Sequence, residues 1–323
     1  MGDKDVKRFS VGKTQKTGGC VIQMKRCAKR MAMVLSFFFV LVSILASGAV
    51  HAETDYALGA KLLVDKYKKP VVYVPASPTE ALPATFDWGP LAQNPLARCV
   101  TDPVRDQQSC GSCWAFASVA IFEAFTNYLY GSTVDLSEEV LVSDCCAAGD
   151  CNGGYLDEAA DWMVSIGTTT EICWPYTASN GSCSGYCPDP LMGKTNDWTY
   201  ACGNWWTIDI NLIKKALVAH GPMATAFYVY SDFDDYNGGI YRHESGTYEG
   251  GHAVLVTGYV DDLQYPGGGY FIVKNSWGIG WGPYGGYFAV AYDSNCDFGI
   301  ESTYYSGFEV YDLFGLSGEG FGQ

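Results

Sequence analysis

The sequence predicts an α+β fold, with a helical first half and a sheet-forming second half, on two observations. The run CWAFASVAIFEAFTNYLY from Cys113 to Tyr130 is apolar on every side, the pattern of a buried helix, and Gly131 ends it. From Pro222 onward, PMATAFYVY, GGIYRH, HAVLVTGYV, GYFIVKNSW and GYFAVAYD are short β-branched and aromatic runs separated by Gly and Asp turns. Helices gathered early and strands gathered late describe two segregated layers, not an alternating parallel fold.

Taken in order, residues 1–52 carry the plan of an export signal. A basic stretch ending in MKRCAKR precedes the apolar run MAMVLSFFFVLVSILASGAV, and small residues follow up to Ala52. Cleavage after Ala52 makes 1–52 a signal peptide; without cleavage the same run is just long enough to anchor the chain in a bilayer. Both outcomes place the body outside the cytosol. Residues 53–81 read as a short propeptide or linker: ETDYALGAKLLVDKYKK could form a small amphipathic helix, and the proline-rich stretch from Pro70 reads as extended. At Leu82 the composition turns aromatic-rich and Gly-punctuated, so the folded domain spans 82–323. Beyond the central helix, LSEEVLVSDC is expected to be helical with Ser137 as its cap, NGGYLDEAADWMVSI gives a third helix and NLIKKALVAHG a fourth.

Charge excludes some partners. Residues 1–81 hold 13 of the 20 Lys and Arg but only 6 of the 35 Asp and Glu, leaving the body with 7 basic and 29 acidic residues. Such a surface repels nucleic acid and anionic lipid, so no nucleic-acid partner is expected, and a membrane only through an uncleaved leader. Removing Cys20 and Cys27 with the leader leaves 11 cysteines. Disulfides suit an exported chain, and the odd count leaves at least one thiol to explain.

That thiol is sought in QQSCGSCWAF. Cys110 and Cys113 have CxxC spacing, but no second CxxC supplies zinc ligands, and no βαβ context frames a redox dithiol. Nucleophilic catalysis instead needs a thiol at a helix start, where free N–H groups stabilise the thiolate, together with a base and a group that orients it. Cys113 opens the buried helix. Of four histidines, His51 leaves with the leader, His220 ends a helix and His243 lies in a polar turn. His252 begins an apolar strand after EGG, and pairing with the strand ending VKNSWGIGWG would bring Asn275 beside it under Trp277.

With VTDPVRDQQSCGSCWAF, LSEEVLVSDC, CNGGY, GGIY, GGHAVLVTGY and KNSWGIGWG in this order over 82 to about 305, the chain resembles the papain-like cysteine proteases. The resemblance implies a two-lobed fold, a helical lobe and an antiparallel β-barrel-like lobe with the cleft between them. It implies Cys113 as a thiolate nucleophile paired with the imidazolium of His252, Asn275 orienting that ring, and Gln107 with the Cys113 N–H as oxyanion donors. Trp277 would shield the His252–Asn275 bond. Gly153 and Gly154 would bind the substrate backbone as an added strand. Tyr155, Leu156, Ala226, Gly250, Gly251 and Thr303 would line the pocket for the second residue before the cut (P2), which implies a hydrophobic preference there; a shifted alignment would bring in Glu301 instead.

The resemblance also implies the disulfides Cys110–Cys151 and Cys145–Cys183. Five bridges would leave Cys113 as the only free thiol. Three departures stand out. Gln108 occupies a position that is usually Gly, 53–81 is too short for the family's helical prodomain, and no insertion blocks the cleft, which favours endopeptidase action. The extended stretch VVYVPASPTEALP is expected to lie over the cleft. The resulting expectation is a monomeric cysteine endopeptidase acting on protein or peptide substrates, needing no metal or cofactor, in a secreted, periplasmic or lysosome- or vacuole-like compartment. The alternative is a catalytically inactive binding protein of the same fold.

Overall fold

The structure, a computed structural model, describes residues 56–62, 81–182, 193–201, 203–204 and 207–310. The leader, most of VVYVPASPTEALP, and Cys183, Cys187 and Cys202 lie outside the described residues. Among the described residues no helix is long and apolar enough to cross a membrane.

Cys113–Tyr130 is helical over all 18 residues and closes on Gly131, whose φ of 71° is the left-handed conformation that a side chain resists. From Cys113 to Ala124 every residue is buried, as the all-round apolar pattern requires. One side of the helix packs with Leu141, Leu156, Met163 and Trp174 into the core of the helical lobe, which also takes in Trp198, Tyr200 and Tyr305. At Ala124 it enters a second core built on Phe227, Phe233, Phe271 and Phe288. Each large ring contributes about 1.5–3 kcal/mol by burial, so the helix is held from both lobes.

The neighbouring helices depart from expectation. LSEEVLVSDC folds as one turn only, Glu139–Val142, because Ser137 does not cap it: its hydroxyl donates to the Trp174 carbonyl at 2.6 Å. In NGGYLDEAADWMVSI the glycines form a short strand, and the helix is Leu156–Ser165. The fourth helix, Ile210–His220, is capped by Asp209, which accepts from the Leu212 N–H.

The second half is an eight-stranded sheet. Its order is Gly193–Tyr200, Ile300–Val310, Met223–Tyr230, Tyr248–Asp261, Gly269–Lys274, Tyr287–Ala291 and Ile240–Tyr241, with Thr85–Asp87 added to Tyr248–Asp261. All pairs are antiparallel except Ile240–Tyr241, which runs parallel to Tyr287–Ala291. The central helix lies across Tyr248–Asp261 and Met223–Tyr230, which brings the start of the helix to the start of the long strand.

Asp87 is fully buried where Thr85–Asp87 joins the sheet. Burial raises its carboxyl to about 6, against the pull of the Thr257 hydroxyl and the Gly89 and Leu91 N–H groups. The folded chain therefore holds this proton more tightly than the unfolded chain, and the resulting stability, on the order of 3 kcal/mol, is present below about pH 4 and lost as pH rises through 6. Asp87→Asn is expected to flatten the difference in Tm between pH 4.5 and pH 7; an unchanged difference would assign the pH dependence to other groups.

Candidate active site

Cys113 is the first residue of the central helix, where backbone N–H groups lack partners from a preceding turn. Across from it, Tyr248–Asp261 carries His252, and the chain leaving Gly269–Lys274 carries Asn275. His252 Nε2 lies 2.7 Å from Asn275 Oδ1, and the imidazole stacks on Trp277 with ring centroids 4.6 Å apart. Asn275 Oδ1 also accepts the Ser276 N–H at 2.8 Å, which fixes the amide with its oxygen toward the ring. His252 Nδ1 makes no hydrogen bond among the described residues.

Gln107 is fully buried and held on both sides. Its N–H donates to the Ser276 carbonyl at 2.8 Å, and its Oε1 accepts from the Ser276 hydroxyl at 2.6 Å. With the oxygen so occupied, Nε2 turns to the Cys110 carbonyl and into the cleft. Its successor Gln108 has φ 55°, the left-handed conformation, and its N–H is taken by Asp106 Oδ1 at 2.8 Å. This accounts physically for the departure at 108: a position that suits glycine is filled here by a residue steadied by an aspartate side chain.

The cleft is occupied by the chain itself. Residues 56–62 are not helical; they run extended between the lobes, from Tyr56 stacked on Trp277 at 4.5 Å to Lys61 over the Tyr155 ring. The Gly154 N–H donates to Gly59 O and the Lys61 N–H to Gly154 O, both at 2.9 Å, a parallel bridge centred on Ala60. The Ala60 N–H donates to Gly251 O at 3.0 Å, and Leu58 lies against Gly250. Ala60 and Leu62 pack on the apolar cluster that contains Leu156 and Ala226. Gly59 passes so close to Gly111 that no side chain fits between them. The stretch VVYVPASPTEALP, expected over the cleft, lies outside the described residues from Val71 to Glu80.

Two features set this segment apart from a peptide aligned for attack. Gln107 Nε2 donates to the Ala57 carbonyl at 2.7 Å, whereas the Cys113 sulfur faces the N–H groups of Gly59 and Ala60. Attack requires one peptide unit to present its carbon to sulfur and its oxygen to the donor together, and here these groups hold different units.

Burial also sets the ionisation. The Cys113 thiol is pushed up to about 11 by burial, against the N–H groups of Ala253, Gly59, Trp114 and Ala60, and His252 is pushed down to about 4 by burial, against its bond to Asn275. Both are neutral near pH 7. In this closed form the segment and the lobes exclude the water that would solvate either charge, which disfavours both the thiolate and the imidazolium that the resemblance implies.

Of the other expected residues, Gly153 and Gly154 lie on the cleft wall. Thr303 is buried in Ile300–Val310, its hydroxyl on the Glu301 carbonyl at 2.7 Å, and Glu301 is fully buried too, at φ 54°. Cys110 and Cys151 form a disulfide as implied. Cys145 and Cys173 are also disulfide-bonded, and the expected partner of Cys145, Cys183, lies outside the described residues. The arrangement leaving Cys113 as the only free thiol is not found: Cys99, Cys146 and Cys296 are free as well. Cys146 and Cys296 are buried in the two cores as small apolar side chains, their thiols pushed up to about 11 and 12 by burial. Sequence reasoning missed Ser276 and Tyr176, both of which touch Gln107 across long stretches of chain.

The chain is similar to known proteins. The family description "Papain family cysteine protease" matches residues 82–308. The chain is 38% identical over 234 residues to Cathepsin B-like CP2 of Giardia intestinalis, covering 70% of this chain and 74% of that one. It is 32% identical over 245 residues to ananain of Ananas comosus, covering 75% and 65% respectively. Among solved structures it is similar to digestive procathepsin L2 from the Tenebrio molitor larval midgut, with TM-score 0.64, 26% identity and 88% and 89% coverage. It is also similar to the ragweed pollen cysteine protease Amb a 11 in its proform, with TM-score 0.59, 26% identity and 72% and 68% coverage.

Proposed function

The chain belongs to the papain family of cysteine proteases and is a cysteine peptidase acting on peptide or protein substrates; from this premise we propose that it is an endopeptidase whose nucleophile is Cys113. His252 takes the thiol proton and returns it to the leaving amine, Asn275 holds the imidazole, and Gln107 Nε2 with the Cys113 N–H receives the developing oxyanion. The observation that carries this reading is the meeting of both lobes at one point: the helix start at Cys113, whose sulfur lies 3.4 Å from the Ala253 N–H beside His252, the His252–Asn275 bond of 2.7 Å, and a Gln107 donor already holding a carbonyl in the cleft.

In this reading residues 53–81 are a short propeptide whose stretch 56–62 blocks its own cleft, residues 1–52 direct export, and 82–323 is the peptidase domain. The enzyme works as a monomer in a secreted, periplasmic or vacuole-like compartment. Leu156, Ala226 and Gly251, with Thr303 behind them, favour a hydrophobic P2 side chain, as Leu62 packing beside them suggests. Labelling with an epoxide thiol reagent followed by peptide mapping tests the nucleophile. The expected result is one label per active site, on Cys113, with turnover lost in proportion; turnover that survives full labelling of Cys113 would overturn the reading, and so would inactivation tracking Cys99, Cys146 or Cys296.

A further inference from the structure

We propose that Tyr176 is a positioning residue of the oxyanion site, acting through the backbone of Gln107. The inference rests on the role of Gln107 given above. The Tyr176 phenol oxygen lies 2.8 Å from the Gln107 carbonyl and 2.6 Å from the Ser112 hydroxyl. A carbonyl only accepts, so the single phenolic proton goes to Gln107 O. Ser112 must then donate to the phenol oxygen, its other contact, the Cys110 carbonyl, being at a weak 3.4 Å. The proton order is therefore fixed: Ser112 to Tyr176 to Gln107. Ser112 immediately precedes Cys113 as the N-cap of the central helix. The chain of hydrogen bonds thus ties the oxyanion donor to the residue beside the nucleophile.

Tyr176 is itself held firmly. Its ring meets Phe116 edge-on at 4.9 Å, and its N–H donates to Glu171 Oε1 at 2.7 Å. The Gln107 carbonyl has little other support, since the Cys110 N–H reaches it at only 3.4 Å. It is also the peptide unit leading into Gln108, whose left-handed φ leaves the turn without the ease that glycine would give it. Ser276 anchors Gln107 from the sheet lobe, and Tyr176 anchors it from the helical lobe. Losing the phenol leaves a buried carbonyl poorly satisfied and removes the tie from the helical lobe, so that Gln107 is held through Ser276 and the Asp106 contact at Gln108 alone and Nε2 is less firmly fixed at the oxyanion position.

The test compares Tyr176→Phe, Gln107→Ala and the double variant, each made as the full chain and processed to clear the cleft before assay, with competent sites counted by epoxide titration. Tyr176→Phe keeps the ring on Phe116 and is expected to lower kcat for a peptide substrate about 10-fold, with KM changed less than about 2-fold, a fraction of the roughly 10²-fold expected for loss of the donor itself. In the Gln107→Ala background the same change is expected to have no further effect on kcat. Alkylation of Cys113 by iodoacetamide uses the thiolate but no oxyanion, so its rate and pH profile should match the unsubstituted chain. Unchanged kcat in Tyr176→Phe would overturn the inference, as would multiplicative losses in the double variant or a parallel drop in alkylation rate. If Gln107→Ala itself keeps full kcat, the assignment of Gln107 fails instead, so the two failures are distinguishable.

Discussion

Cys113→Ala is expected to lower kcat/KM for peptide hydrolysis by about 10⁴–10⁶-fold, the scale on which removing a nucleophile collapses a concerted site. The magnitude follows from how the groups depend on one another. In the proposed mechanism Asn275 and Trp277 only orient and cover His252, and Gln107 only receives charge created by attack, so without sulfur they have nothing to act on. The variant tests chemistry and not folding: Cys113 is fully buried, and the change removes one sulfur atom with its long contact from the Ala253 N–H at 3.4 Å and those from Gly59, Ala60 and Trp114. A Tm within a few degrees of the unsubstituted chain is therefore expected, with an intact Cys110–Cys151 bridge verified by mass. Turnover above about one percent in a preparation free of other peptidases would remove Cys113 from the role, against the loss expected of a nucleophile. It would leave the fold untouched and favour an inactive binding protein whose thiol is structural.

The groups proposed for this chemistry were legible because their types and order are constrained. A thiol at a helix start, a histidine opening an apolar strand and an asparagine ending the next strand describe one point in space once the strands pair, and the register of Tyr248–Asp261 against Gly269–Lys274 brings them there. What supports them was not legible. Ser276 and Tyr176 reach Gln107 across 169 and 69 residues of chain, and a serine or tyrosine in a loop carries no local sign of such a bond. The helix expected over LSEEVLVSDC shortened for a similar reason: Ser137 was read as a cap by local pattern, but the distant Trp174 carbonyl claims its hydroxyl. Occupation of the cleft by 56–62 was hidden more deeply, because its contacts are largely backbone to backbone. Gly154, Gly251 and Gly111 meet peptide groups there, and such contacts impose little on side chains beyond smallness at Gly59 and Ala60. The ionisation followed from this occupation. An open site would favour a thiolate facing an imidazolium, whereas the covered site holds both groups neutral.

Gly59→Val is expected to open the cleft. A Cβ on residue 59 would lie 1.8 Å from the Gly111 carbonyl oxygen and 2.3 Å from its carbon, far inside contact distance. Gly111 cannot retreat, because its N–H is held by the Cys151 carbonyl at 2.9 Å and its neighbour Cys110 is bonded to Cys151. The yielding partner is the segment, which has three backbone hydrogen bonds to the cleft walls at Gly154 and Gly251 and one from Gln107, net contributions of about 1 kcal/mol each. Once it leaves, water reaches Cys113 and His252. The thiol falls from about 11 and the imidazole rises from about 4, and as each supplies the counter-charge of the other, the ion pair becomes the stable form near neutral pH. In the closed chain a thiol at about 11 is ionised to only about one part in 10⁴ at pH 7. Iodoacetamide labelling of Cys113, read by peptide mapping so that Cys99 does not contribute, should therefore be at least about 100-fold faster at pH 7 in Gly59→Val. Its pH profile should move from an alkaline rise to a plateau reached below neutrality, and peptide turnover should appear without prior processing. Equal labelling rates and equal pH profiles in the two chains would mean that the segment does not control access to the thiol, and that the neutral pair is a property of the lobes alone.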